Sequence, residues 1–256
     1  MKVTVQNSDS LLGFGTEGGG PWKVWDRFIT IAGKKAYHIG NICGTCSFFF
    51  QRLEGVNQSL SPKELQSELT HGLSELTVSH ANALKGILPD GVYHLSLRSL
   101  RPQLVAPGEK DDYFVREQIA LWGIDGFWAL PHNPRTKYYR CGDRDLGDGV
   151  RLFEFMIPMF PETWLDDEQV QSFVRRIRQG ESPTALAISI LDVKEPADRD
   201  GDLDVSCHWC LAHYLIDGHH KVFAASTLGQ PISFVSMFAT DQGISGPEDH
   251  ARLPHG

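Results

Sequence analysis

Leu215-Ile216-Asp217-Gly218-His219-His220-Lys221-Val222-Phe223-Ala224-Ala225 is the stretch on which the reading of this chain turns. Its apolar approach, glycine turn and helical continuation predict a strand over Trp209–Ile216, a turn over 217–221 and a helix over Val222–Leu228 that stops at Gly229. A strand running straight into a helix leaves several N–H groups at the helix start without partners and turns the positive end of the helix dipole outward. That is an anion site. Two imidazoles and an ammonium on the same turn add donors and charge, which suits a polyphosphate. The alternative is a polar turn whose histidines cap the helix and contact Asp217.

Working outward, Leu152–Ile157 reads as an apolar strand ended by Pro158. Asp166 caps a predicted helix over Asp167–Gln179, with Val170, Phe173, Val174 and Ile177 on one face and Gly180 as its stop. Ala185–Leu191 and Pro231–Phe238 read as strands. The order β-α-β-β-α-β makes residues 151–240 one α/β unit. The polar segment 241–256 is expected to be a flexible tail. Residues 1–150 read as a mixed α+β region, so the expected fold class is α+β. In it, Met1–Gln6 is a strand, and Trp22–Ala32 and Lys35–Ile39 form a hairpin split by Gly33-Lys34. Ser47–Leu53 is expected as a short buried helix, Ser61-Pro62-Lys63-Glu64 as a capping box opening a helix toward His71, and Leu73–Leu88 as a second helix. Val92–Leu100 alternates as a strand does, while Tyr113–Arg144 has no clear period. Gly13–Gly18 matches G-x-G-x-x-G, but no helix follows it, so it reads as a surface turn.

The run Asp217-Gly218-His219-His220-Lys221 resembles the nucleotide-binding signature of the ParB and sulfiredoxin superfamily, in which a strand enters a G-x-x-R or D-G-H-H-R turn ahead of a small helix. Leu165–Ile177 looks like the sulfiredoxin helix before the central strand, and Gly180-Glu181-Ser182-Pro183 looks like the ParB turn after it. The resemblance covers about residues 155–240. Where sulfiredoxin has G-C-H-R, this chain has Gly218-His219-His220-Lys221, so the thiol position is His219 and sulfinic-acid reduction is not expected. Against the D-G-H-H-R of ParB-like kinases of free serine, only Lys for Arg differs, which keeps the charge and loses the bidentate fork. The resemblance implies ATP or ADP, with magnesium, held by its phosphates at Gly218, His219, His220 and Lys221. It also implies Asp217 or His219 near the transferred group, and Glu162 as the residue that activates an acceptor hydroxyl.

Five cysteines include two CxxC pairs, Cys43/Cys46 and Cys207/Cys210, with Cys141 alone. CxxC on a tight turn fits tetrahedral zinc, and two pairs would complete a structural four-sulfur zinc site, with His208 or His38 as substitutes for one thiol. A redox pair at Cys43/Cys46 and free buried thiols are the alternatives. The acidic run Asp198–Asp204 has its glycine and twelfth position wrong for a calcium loop, and reads as a solvated loop.

The 256 residues are 41% hydrophobic and 22% charged, which excludes a disordered chain and a disulfide-stapled miniprotein. No apolar run reaches the roughly 18 residues of a membrane span and no secretion signal opens the chain, so a cytoplasmic protein without membrane contact is expected. The net charge is −8, all of it in residues 150–256, and the longest basic cluster is Arg175-Arg176-x-Arg178. Extended nucleic-acid binding is therefore not expected. The expected function is a nucleotide-dependent phosphotransferase with a small-molecule acceptor. A nucleotide-gated ParB-like regulatory protein and a ParB-like nuclease are the alternatives.

Overall fold

Three successive β-branched and aliphatic segments of the C-terminal half lie side by side at the centre of an eight-stranded sheet, and the N-terminal half builds its flanks. The computed structural model describes residues 1–55, 60–198 and 204–253. In chain order the strands are β1 (Lys2–Val5), β2 (Leu12–Gly19), β3 (Trp22–Ile31), β4 (Lys34–Asn41), β5 (Gln51–Arg52), β6 (Gly91–Leu100), β7 (Gln103–Val105), β8 (Tyr138–Gly147), β9 (Val150–Ile157), β10 (Thr184–Lys194), β11 (Cys207–Asp217) and β12 (Ile232–Ala239). The helices are α1 (Gln66–His71), α2 (Val78–Lys85), α3 (Glu117–Trp122), α4 (Asp167–Arg178), α5 (His219–Leu228) and α6 (Pro247–Arg252). The class is α+β.

The large sheet has the order β1-β6-β12-β10-β11-β9-β8-β7, and β2 to β5 form a second, antiparallel sheet. In the large sheet β9 runs parallel to β11 and β10 parallel to β12, while β10 and β11 are antiparallel. The predicted β-α-β-β-α-β order is present as β9-α4-β10-β11-α5-β12. The boundary expected at residue 150, however, falls at the turn of the β8–β9 hairpin, and β1, β6, β7 and β8 share the sheet with β9–β12. Strands β1, β6, β7 and β8 of residues 1–150 thus complete one sheet with residues 151–240, because β9 and β12 would otherwise be left as unpaired edges.

Alternation along β11 sorts its side chains onto two faces. Cys210, Ala212, Tyr214 and Ile216 enter the main core between the sheets, whereas Trp209, Leu211 and Leu215 face the helices. That core holds a dense aromatic cluster in which Phe48 stacks on Phe155 at 5.6 Å between ring centres and on Phe114 at 6.2 Å. The aperiodic stretch 113–144 thereby finds its role: Tyr113, Phe114 and Tyr138 are core aromatics. One buried ion pair ties the sheets together. Arg27 of β3 reaches Asp192 of β10 with two hydrogen bonds, 3.0 and 2.6 Å, and its remaining N–H groups go to the carbonyls of Ile39, Asn41 and Gln242. The planar guanidinium suits such a site because every donor finds a fixed acceptor.

Several local expectations are corrected. Gly13–Gly18 lies inside β2, paired to β3, and is not a surface turn. Ser47–Leu53 is extended: Phe48 and Phe50 are buried in the core while Phe49 packs on His38 and His132, a two-residue alternation that a helix would destroy. Ser61 caps nothing, since Pro62 leads a single 3-10 turn, Lys63–Leu65, into α1. The second helix is shorter than expected, because Thr77 and His80 close a capping box that starts it at Val78. The expected tail carries α6, and Ile244 bonds to both Asp192 and Val193. Arg252 lies 5.1 Å over Trp209 and His250 meets Phe238 edge-on, so a polar segment is held by two aromatic contacts. Residues 199–203 of the acidic loop and 254–256 of the tail lie outside the described residues. No helix among the described residues is long and apolar enough to cross a membrane.

Candidate functional site

Two chain reversals meet at one end of the large sheet. β9 ends at Ile157 and passes through Pro158-Met159-Phe160-Pro161 and a short turn, Glu162–Trp164, before Asp166 caps α4 by accepting the Gln169 N–H at 2.8 Å. β11 ends at Asp217, and Gly218 turns the chain into α5 with φ +91°. Only glycine fits there. A Cβ at 218 would meet the Ala185 Cβ at 2.7 Å and its Cα at 2.9 Å, and the left-handed backbone already disfavours a side chain.

The side chains of this turn point into the protein. His219 is buried, its ring stacked on Phe160 at 4.3 Å, and its Nε2 accepts the Met159 N–H at 3.0 Å. Burial pushes its pKa down to about 3, with His220 adding repulsion, so the ring is neutral and carries its proton on Nδ1. His220 accepts the Asp166 N–H on Nε2 at 3.0 Å, and burial lowers its pKa against the pull of Asp166 and Asp217. Lys221 is buried as well. Its ammonium donates to the Thr184 carbonyl at 2.8 Å and lies 3.7 Å from the Asp217 carboxylate; burial lowers its pKa and Asp217 opposes that shift. Both imidazoles therefore act as acceptors that stitch the β9–α4 connection onto the mouth of α5. The three side chains expected in a phosphate clamp, His219, His220 and Lys221, are each engaged by a partner within the fold.

Beside the turn opens a cleft of about 230 Å³. Thr136, Lys137, Tyr139, Phe160, Glu162 and His219 are among its lining residues. Glu162 is exposed and paired with Lys137. Of the three side chains expected to be catalytic, Glu162 and His219 thus share this cleft, while Asp217 is not among its lining residues and lies 3.7 Å from the Lys221 ammonium. Lys137 and Tyr139 were not anticipated. Lys137 immediately precedes β8 and Tyr139 lies within it, both in the aperiodic stretch 113–144, and only the sheet order that places β8 beside β9 brings them here.

No family model, no curated protein and no solved structure matches this chain.

The expected zinc site at Cys43, Cys46, Cys207 and Cys210 is not assembled. Cys207-His208-Trp209-Cys210 lies within β11, and residues three apart in a strand face opposite sides. Cys207 packs with Trp209 and Leu211, Cys210 with Ala212 and Tyr214. Cys43 and Cys46 are joined to each other by a disulfide on the loop after β4. His208 accepts from or donates to Tyr113 Oη at 2.9 Å, and His38 pairs with Asp26 at 3.0 Å, so neither replaces a thiol. Among the described residues no group of three or more His, Cys, Asp or Glu is placed to hold a metal ion.

Proposed function

We propose that the protein is a nucleotide-dependent phosphotransferase that modifies a small hydroxyl compound in the cleft at the mouth of α5. One observation carries this reading: Glu162, Lys137 and His219, contributed by three separate segments, line the same small cleft. Glu162 takes the proton of the acceptor hydroxyl as it attacks. Lys137 neutralises charge on the phosphoryl group, an interaction that strengthens as the transferred group gathers charge. His219 holds the wall in place through Met159 and Phe160. Glu162 is the one carboxylate among the lining residues, so the protein offers at most a single ligand to a magnesium ion arriving with the nucleotide, where that ion would neutralise phosphate charge.

A second reading, a nucleotide-gated binding protein, is favoured by the engagement of His219, His220 and Lys221 inside the fold, which makes the turn a structural joint. Incubation with ATP, magnesium and pools of amino acids and other hydroxyl metabolites separates the two. Acceptor-dependent release of ADP is expected, falling by roughly 100-fold or more in Glu162→Gln with the melting temperature unchanged. Binding of nucleotide with no turnover moves the conclusion to the gated protein, and absence of ATP and ADP binding overturns both.

A further inference from the structure

The loop after β4 holds a second reactive feature, remote in chemistry from the cleft. We propose that Cys43 and Cys46 form a thiol–disulfide exchange centre that passes two electrons between this protein and a dithiol.

Both sulfurs are on a half-exposed loop, whereas Cys207 and Cys210 are buried. The donors around the pair are unequal. Cys43 Sγ faces the Cys46 N–H at 3.1 Å and the Thr45 hydroxyl at 3.3 Å, and among the described residues Cys46 Sγ receives no such hydrogen bond. Donors aimed at one sulfur favour it as the thiolate and so as the attacking and leaving group. Hydrogen bonds besides the S–S bond also hold the loop. The Cys43 carbonyl accepts from Lys194 Nζ at 2.7 Å, the Gly44 carbonyl from the Glu195 N–H at 3.0 Å and the Thr45 carbonyl from Trp122 Nε1 at 3.0 Å. The Cys43 N–H donates to Asn41 Oδ1 at 3.0 Å. A link closing only four residues removes little chain entropy, and here it duplicates bonds already made. Stability is thus a poor account of the pair, and exchange is a good one.

In the reducing direction, a thiolate of the incoming dithiol attacks Cys43 Sγ, the S–S bond breaks and Cys46 leaves as thiolate. The second thiol of the dithiol then attacks its own sulfur in the mixed disulfide and releases Cys43. The protein gains two electrons and two protons, and the dithiol becomes a disulfide. The reverse sequence begins with the Cys43 thiolate and is resolved by Cys46.

The test uses the whole native protein equilibrated in reduced and oxidised dithiothreitol, with thiols counted by maleimide labelling and mass spectrometry. One reversible two-electron transition confined to Cys43 and Cys46 is expected. In the reduced protein iodoacetamide should modify Cys43 roughly ten-fold faster than Cys46, and Thr45→Val should diminish that preference. Cys46→Ser treated with glutathione disulfide should retain one glutathione, on Cys43. A pair that opens only when the protein unfolds would show a structural staple and overturn the proposal. So would equal labelling of the two sulfurs at the rate of a free thiol, or stoichiometric zinc capture by the reduced pair. Because no nucleotide is present, failure here leaves the phosphotransferase reading untouched.

Discussion

Cys43-Gly44-Thr45-Cys46 and Cys207-His208-Trp209-Cys210 share a spacing and nothing else. The first lies on a loop where the chain folds back, so its sulfurs meet in a disulfide. The second lies in β11, where the pleat sends one sulfur toward the α-helical face and the other into the main core. Between them His208 is buried among Tyr113, Phe153 and Trp122. A spacing motif is a statement about chemistry only once the backbone under it is known. Glycine and threonine inside the first pair permit a turn, while tryptophan and histidine inside the second favour a pleated, buried strand.

The largest expected effect sharpens this contrast directly. With the disulfide reduced, alkylation of Cys43 in the native state should outrun that of Cys207 and Cys210 by about a thousand-fold or more, since buried thiols react only through opening of the sheet. Comparable rates, read by mass spectrometry of digests, would mean that β11 opens easily and would dissolve the comparison.

Acid tests the buried histidine of the second pair next. Burial lowers the pKa of His208 to about 3, as it does for His219. In the unfolded chain each titrates near 6.5, so the folded state binds fewer protons below that pH. The stability these neutral rings confer is therefore complete above about pH 6.5 and is lost as pH falls toward 3, at about 1.4 kcal/mol per pH unit for each group. Urea denaturation at a series of pH values should show this decline, and His219→Gln should make it shallower. A flat profile between pH 6.5 and 4 would contradict the burial of both rings.

The turn into α5 extends the same lesson to glycine. Gly218→Ala should cost about 2–4 kcal/mol, because a Cβ would collide with Ala185 on a left-handed backbone. A change below about 0.5 kcal/mol in the denaturation midpoint analysis would show that the turn can relax. Smallest is Lys221→Met, which keeps the aliphatic stem and leaves the Thr184 carbonyl without its donor; a loss of about 1–3 kcal/mol is expected. Stabilisation instead would show that desolvation of the buried ammonium outweighs its hydrogen bond.

Periodicity and punctuation made the C-terminal half legible. Asp166 and Gly180 bound α4 where a capping carboxylate and a left-handed stop require, and Gly218 and Gly229 bound α5. Of the residues lining the cleft, His219 was singled out by the turn itself and Glu162 only by the resemblance, whereas Lys137 and Tyr139 sit in a stretch whose aromatic residues answer to core packing and follow no repeat. Ser47–Leu53 misled because three consecutive phenylalanines fit a buried helix as well as a strand that buries alternate rings.

The amino-acid order alone determined the α+β class, the β-α-β-β-α-β succession and a glycine turn between β11 and α5, since each is read from patterns within a few residues; that no side chain fits at 218 depends on Ala185, far away in the chain. Tertiary structure alone decided that the two halves share one sheet, that the imidazoles and ammonium of the turn face inward, and that one cysteine pair closes while the other is split across a strand. Those outcomes depend on which distant groups satisfy a buried donor or acceptor, and no local pattern encodes the partner.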